Sequence, residues 1–306
     1  MGKPVGKDMR AREELDSSLS LVDIDRLMVH ERIIEDLQET IFRRMKAEGI
    51  LAWPVVADSC SSLILDGSHR YAAVRNRLKG RRILVQAVDF LDRGIKLRNW
   101  WRIYRRIRPA QFQRLKEKHD WLSARTGASR GGSRFIFQGL LHRWKEKTGL
   151  IGEIFRFRDL EQDLADNFGL EPLFVTEDEA KQYLTRSQTL TLVPPTLTKA
   201  ELIKMAGGIT IPPKSTRFIF PFRVIGPKVP LDWLIGKGNN QALNARLDQL
   251  KAQPIRYLGR GLTIDRFYPE EIYSYQDYTI QRESFLKEKD YRAYLARLKE
   301  TNNIIY

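Results

Sequence analysis

The apolar triplet Leu63-Ile64-Leu65 runs directly into Asp66-Gly67-Ser68-His69-Arg70 and then into the helix-forming stretch Tyr71-Ala72-Ala73-Val74-Arg75. That order of residue types sets a local shape: a short strand, a polar turn that bends at glycine, and a helix. A helix opened in this way turns backbone N–H groups and the positive end of its dipole towards an anion, and phosphate is the natural guest. The same turn carries a carboxylate able to take a metal ion, an imidazole, and a guanidinium suited to bidentate phosphate contact.

Composition sets the bounds around this corner. The chain has 306 residues, 42% hydrophobic and 30% charged, enough for a sizeable core and one or two domains. Cys60 is the sole cysteine, which excludes an internal disulfide and a multi-cysteine metal site and fits a reducing, cytoplasmic location. Met1 to Arg10 lacks an apolar core of the signal-peptide kind, and no run of about eighteen apolar residues occurs, so membrane spanning is not expected.

The net charge of +15 is unevenly spread: residues 91–147 hold sixteen Lys/Arg against four Asp/Glu. Trp100, Trp101, Tyr104, Phe112, Trp121 and Phe135 are interleaved there with Arg102, Arg105, Arg106, Arg108 and Arg114. This mixture suits a polyanion or nucleic acid, with bases stacked and phosphates clamped. The plainer reading, which the aromatic residues favour, is a cationic face over an aromatic core.

Helical spacing of Ile33, Ile34, Leu37, Ile41, Phe42 and Met45 predicts a surface helix that stops near Gly49. Residues 50–57 read as an edge strand containing Pro54, 59–62 as a hairpin turn, and 83–90 as a further strand. Between 111 and 147, Gly127, Gly131, Gly132 and the serines suggest a flexible basic loop. Strands are expected at 173–175 and 190–193, a helix at 177–184, and a helix at 198–205 with Thr198 and Glu201 as a capping box. Residues 209–221 read as strand, rigid turn and strand, 267–278 as aromatic and turn-rich, and 282–299 as helical.

Two distant motifs together suggest a family. Asp66-Gly67-Ser68-His69-Arg70-Tyr71 after an apolar strand, with His30-Glu31 upstream and Pro212-Pro213-Lys214-Ser215-Thr216-Arg217 downstream, resembles the free L-serine kinases built on the ParB/sulfiredoxin fold. The resemblance covers about 21–104 and 198–233. The family turn reads Asp-Gly-His-His-Arg, and Ser68 replaces its first histidine.

The resemblance implies a role for each residue. Glu31 stands where a glutamate acts as general base on the serine hydroxyl; alone it would read as a solvated first-turn residue. Asp66 would hold a magnesium ion or the acceptor's amine, and Gly67 would let backbone approach the phosphates; an ordinary Asp-Gly turn is the bland alternative. Ser68, His69 and Arg70 would complete the nucleotide-phosphate cradle, with Asp66, His69 and Arg70 joining Glu31 as catalytic residues. Lys214, Ser215, Thr216 and Arg217 would bind substrate, where the plain alternative is a basic surface turn. His119, His142, Cys60, Asn239 and Asn240 read as structural or surface residues.

Three functions remain in view. The first is a Mg²⁺-assisted transfer of phosphoryl from ADP or ATP to the hydroxyl of free L-serine or a similar amino acid, giving O-phosphoserine. The second is a ParB-like DNA-binding regulator or nucleotide switch, which needs a helix-turn-helix soon after the turn. The third is nucleotide or phosphometabolite binding without catalysis. The expected architecture is α+β. A ParB/sulfiredoxin-like catalytic lobe (1–108) is followed by a basic insertion or linker (109–150), a smaller α+β lobe with the substrate motif (151–236) and a helical C-terminal extension (237–306). The active site is expected in the cleft between the two lobes.

Overall fold

A computed structural model describes residues 5–123, 132–146, 148–236, 238–264 and 267–275. Contacts divide the chain into two units: Met1–Lys96, Met205–Gly208 and Phe218–Tyr306 form the first, Leu97–Lys204 and Ile209–Arg217 the second. Helices and strands are mixed in both, as the α+β expectation requires.

In the first unit a four-stranded sheet has the spatial order Leu19–Asp23, Arg82–Val88, Val55–Asp58, Ile64–Asp66. Val55–Asp58 runs parallel to Arg82–Val88, and the two outer strands are antiparallel to their neighbours. Pro54 therefore does not sit inside an edge strand as expected. Lacking an N–H to donate, it separates the short strand Ile50–Leu51 from Val55–Asp58, which is an interior strand. The predicted surface helix forms over Glu35–Glu48 and ends on Gly49, whose φ of 70° is the left-handed conformation a helix stop demands. Met45, Tyr71 and Val74 pack onto Leu21, Val55, Ala57, Ile64, Ile83 and Val85 of the sheet.

Residues beyond 230 contribute to this same core. Leu234, Leu243 and Leu247, from helices Leu231–Ile235 and Asn240–Lys251, are buried in it. Buried Arg82 donates to the Gly236 carbonyl at 2.5 Å and also to the Gly238 carbonyl and the Asn240 side chain. Asn244 pairs with both the N–H and the C=O of Leu21. The turn-rich reading of 267–278 gives way to a strand, Phe267–Tyr275, which lies between Phe222–Ile225 (parallel) and Ile255–Thr263 (antiparallel). Alternating burial along Phe267–Tyr275 is the period-two pattern of a strand, masked in the sequence by Pro269, Glu270 and Glu271. The helix expected at 282–299 lies outside the described residues.

The second unit is built on a six-stranded antiparallel sheet, ordered Leu173–Val175, Trp101–Arg105, Thr189–Val193, Arg134–Phe137, Leu140–Trp144, Trp121–Ser123. The expected loop over 111–147 is instead helix Pro109–Lys118 and three of these strands, with residues 124–131 outside the described set. Rings drive this: Phe112 stacks on Phe137 at 4.1 Å and Trp121 on Phe135 at 4.4 Å, closed over by Phe157 and Leu160 of helix Leu150–Phe168. Burial of each such ring contributes about 1.5–3 kcal/mol. The aromatic residues of the basic segment are thus core, and Trp101, Tyr104, Phe112, Trp121 and Phe135 offer no stacking platform for bases. The Thr198–Glu201 capping box forms as expected, Thr198 N–H to Glu201 at 2.8 Å and Glu201 N–H to Thr198 Oγ1 at 3.2 Å.

Candidate active site

The strand, glycine turn and helix expected at this corner form where the sequence puts them. Asp66 ends strand Ile64–Asp66, Gly67 takes φ 94°, and helix Ser68–Ala72 follows and continues as a π turn over Ala73–Arg77. The first intrahelical bond runs from Tyr71 N–H to the Gly67 carbonyl at 2.9 Å, so the amides of Ser68, His69 and Arg70 lie ahead of it. Asp66 to Arg70 are all partly exposed.

Within that corner the side chains are already engaged. Arg70 folds back under the turn, donating from Nη2 to the Pro54 carbonyl at 3.2 Å and to Asp66 Oδ2 at 3.4 Å. Its guanidinium lies where a side chain on residue 67 would have to go, since a Cβ there would sit 2.7 Å from Arg70 Nη2. Gly67→Ala therefore meets both a left-handed backbone and a steric clash, and is expected to cut turnover at least tenfold while lowering stability by about 1–2 kcal/mol. Steady-state kinetics and denaturant unfolding check this; an alanine variant with unchanged values would show that Arg70 does not need its place.

His69 Nε2 accepts the Ile34 N–H at 3.1 Å, which puts the proton of the neutral ring on Nδ1. This bond has a second consequence, for Glu31. The segment before it is tied to the strand of the motif, Met28 N–H to the Ser62 carbonyl at 3.0 Å and Ile64 N–H to the Met28 carbonyl at 2.8 Å. Residues 28–34 are thus pinned at one end to the strand and at the other to the helix, with Glu31 in the span between.

The Glu31 side chain is 13% exposed, and His30 Nε2 lies 3.8 Å from its Oε1. Burial pushes the His30 ring below its ordinary pKa of 6.5, against the opposite pull of the Glu31 charge and a backbone bond at Ile64. Burial, reinforced by the Lys116 charge, likewise lowers His142 in the second unit. The unfolded chain then binds protons first as pH drops, so stability falls below pH 6.5 and is held above it. Buried Asp58 and Asp163 titrate below the ordinary 3.8 because hydrogen bonds from Ser61 and Phe90, and from Lys118 and His119, outweigh desolvation. Their contribution is lost only at still lower pH. Denaturant midpoints are therefore expected to decline from pH 7 to pH 5; a flat profile would mean that neither histidine loses stability by charging.

No motif in the sequence points to Arg223 or Glu270. Arg223 donates to Asp66 Oδ2 at 2.6 Å and to Glu270 Oε1 at 3.1 Å, and Glu270 also accepts the Phe220 N–H at 3.3 Å. Only the fold could reveal this chain of charges, because three segments far apart in sequence supply it.

The motif Lys214-Ser215-Thr216-Arg217 belongs to the second unit. Lys214 adopts φ 56°, with its ammonium 4.3 Å from the centre of the Phe174 ring, and Arg217 lies over Trp100 at 5.3 Å. Ser215 and Thr216 are buried, and Ser215 Oγ donates to the Pro212 carbonyl at 2.7 Å. The turn is held by Arg102, fully buried, which donates to the carbonyls of Pro213, Lys214 and Trp100 and to Glu161. The strand expected before this turn reduces to a bridge at Ile211, and Arg217–Ile219 is the strand after it. Phe218, next in the chain after Arg217, belongs to the first unit, its ring 5.7 Å from His30.

A buried sheet delivering a glycine turn, an arginine-clamped carboxylate and a helix start makes this an α+β protein with a candidate anion site at that turn. Comparison with known proteins narrows this class. No family model matches the chain. It is 25% identical over 237 residues to a protein named ATP-dependent L-serine kinase from Staphylothermus marinus, a match covering 70% of this chain and 90% of that protein. Its fold is that of SbnI with C-terminal truncation from Staphylococcus aureus (TM-score 0.66, 17% identity, 78% of this chain and 98% of that one). It is equally that of a free serine kinase solved with AMP as a glutamate-to-glutamine variant (TM-score 0.61, 16% identity, 71% and 94%). The likeness to the free L-serine kinases, carried in the sequence by a few residues, extends through most of the chain. Among the described residues no helix is long and apolar enough to cross a membrane.

Proposed function

We propose that this protein is an ATP-dependent L-serine kinase. Glu31 takes the proton from the serine hydroxyl, the serine oxygen forms the new bond to the γ-phosphorus, and the bond to the β-phosphate oxygen breaks, giving O-phosphoserine and ADP. The backbone of Gly67, Ser68 and His69 cradles the phosphates, with the His69 ring as a donor to the transferring group. Arg70 acts from beneath, keeping the turn and Asp66 in shape. Lys214, Thr216 and Arg217 hold the carboxylate of the amino acid, and Ser215 braces their turn.

Asp66 is the side chain that would hold a magnesium ion, which would neutralise charge on the transferring phosphoryl group; no cluster of three or more His, Cys, Asp or Glu able to hold a metal occurs among the described residues.

The observation that carries the reading is the pinning of residues 28–34 along the motif strand and helix, which gives a phosphate turn a half-buried carboxylate in the same unit. The test is incubation with Mg²⁺, either ATP or ADP, and a panel of free amino acids, followed by mass analysis. O-phosphoserine with ATP is expected. Product with ADP alone would move the donor, and phosphorylated threonine or homoserine without phosphoserine would move the acceptor. No phosphorylated amino acid under any condition would refute the kinase. Anion attraction by the exposed Arg105, Arg106, Arg108 and Arg114 is a separate property, read by salt-dependent DNA binding.

A further inference from the structure

Asp66 is gripped from two sides, and the shorter contact comes from a strand that no motif pointed to. Arg223 Nη1 reaches Asp66 Oδ2 at 2.6 Å, against 3.4 Å for Arg70 Nη2. The Arg223 side chain is 5% exposed and its second partner, Glu270, is 1% exposed. Its guanidinium also lies over the rings of Phe220 at 4.7 Å and Tyr268 at 5.1 Å. A long side chain boxed in this way has lost its rotamers, and its charge tolerates burial only because two carboxylates meet it. Of those two, Glu270 is sealed inside, whereas Asp66 opens onto the turn. The expensive arrangement therefore has one outlet, the orientation of the Asp66 carboxylate.

We infer that Arg223 is a positioning residue for the phosphoryl-transfer site, fixing Asp66 in a single orientation, with Glu270 as the buried anchor that keeps Arg223 aimed. The strand Phe267–Tyr275, some two hundred residues from the glycine turn, thereby belongs to the frame of the site. The inference rests on the kinase reading for the reaction it serves, and on geometry alone for the orientation of Asp66.

Arg223→Gln is expected to lower kcat about 100-fold with KM for serine and nucleotide changed less than about threefold. Arg223→Lys, whose ammonium still reaches Asp66 but lacks the fork that also engages Glu270, recovers about tenfold of that loss. In an Asp66→Asn background the Arg223→Gln change adds less than about twofold, because its route runs through the lost carboxylate. An undiminished second loss would make Arg223 merely structural and overturn the inference.

A readout that needs no turnover completes the test. In the crystal structure of Arg223→Gln the Asp66 carboxylate leaves the orientation it holds in the parent protein, since the shorter of its two contacts is gone. If the glutamine variant does not fold, the lysine and Glu270→Gln variants carry the same comparison with smaller displacements. An unmoved carboxylate overturns the inference. A displaced carboxylate in a protein that phosphorylates no amino acid refutes the kinase and leaves the positioning role standing.

Discussion

Replacement of Glu31 by glutamine is expected to bring turnover to a near halt, with kcat down about 10²- to 10⁴-fold, while ATP and ADP bind as before. Glutamine keeps the size and hydrogen-bonding oxygen of the side chain and removes only its capacity to take a proton. The site is prepared for that capacity. Residues 28–34 are fixed at both ends, so the carboxylate is presented by a taut segment rather than a free loop. His30, held below its ordinary pKa by burial, stays uncharged beside it at neutral pH. Calorimetric titration with nucleotide and mass detection of phosphoserine separate the two properties. Loss of nucleotide binding would recast Glu31 as part of the phosphate cradle, and kcat within about threefold of the parent would remove it from the chemistry.

The legible parts of this protein were those whose causes are local. Leu63-Ile64-Leu65 followed by Asp66-Gly67 announces its turn because glycine is needed at φ 94°, and Gly49 ends its helix for the same reason. The capping box at Thr198 and Glu201 is likewise written within four residues. Illegible features depend on partners distant in sequence. Helix Leu150–Phe168 was hidden although Ile154, Phe157, Leu160 and Leu164 recur at its period, because the charges between them blurred the stripe. The interior position of Val55–Asp58 depends on Arg82–Val88 lying alongside it, which Pro54 argued against. Arg223 and Glu270 sit in segments with no motif, and their pairing with Asp66 exists only once three segments have met. The roles of Glu31 and of Lys214 to Arg217 came from resemblance, and the local residues alone would have supported a solvated helix start and a surface turn.

Arg102 shows how far composition can mislead, and it supplies the largest expected loss of stability. In the sequence it is one cation among sixteen in a basic segment facing solvent or a polyanion. In the fold its side chain is 0% exposed, flanked by the rings of Phe157 at 5.1 Å and Phe174 at 5.2 Å, and it donates to four acceptors. Removal of a partner from a buried, hydrogen-bonded charge leaves the others desolvated and unpaired, at about 3–5 kcal/mol. Arg102→Met is expected to destabilise the second unit by that amount. The carbonyls of Pro213 and Lys214 lose their donor at the same time, so KM for serine rises even where the protein stays folded. Glu161→Gln is the informative contrast. Its amide oxygen still accepts from Arg102 Nε, but the carboxylate charge that offsets the buried guanidinium is gone, so this change costs about 1–3 kcal/mol; the bonds from Arg102 to the carbonyls of the Lys214 turn remain, and KM stays nearly unchanged. Denaturant unfolding and serine titration of both variants test the asymmetry. Equal losses in the two would mean that the ion pair, rather than the web of carbonyls, holds the Lys214 turn.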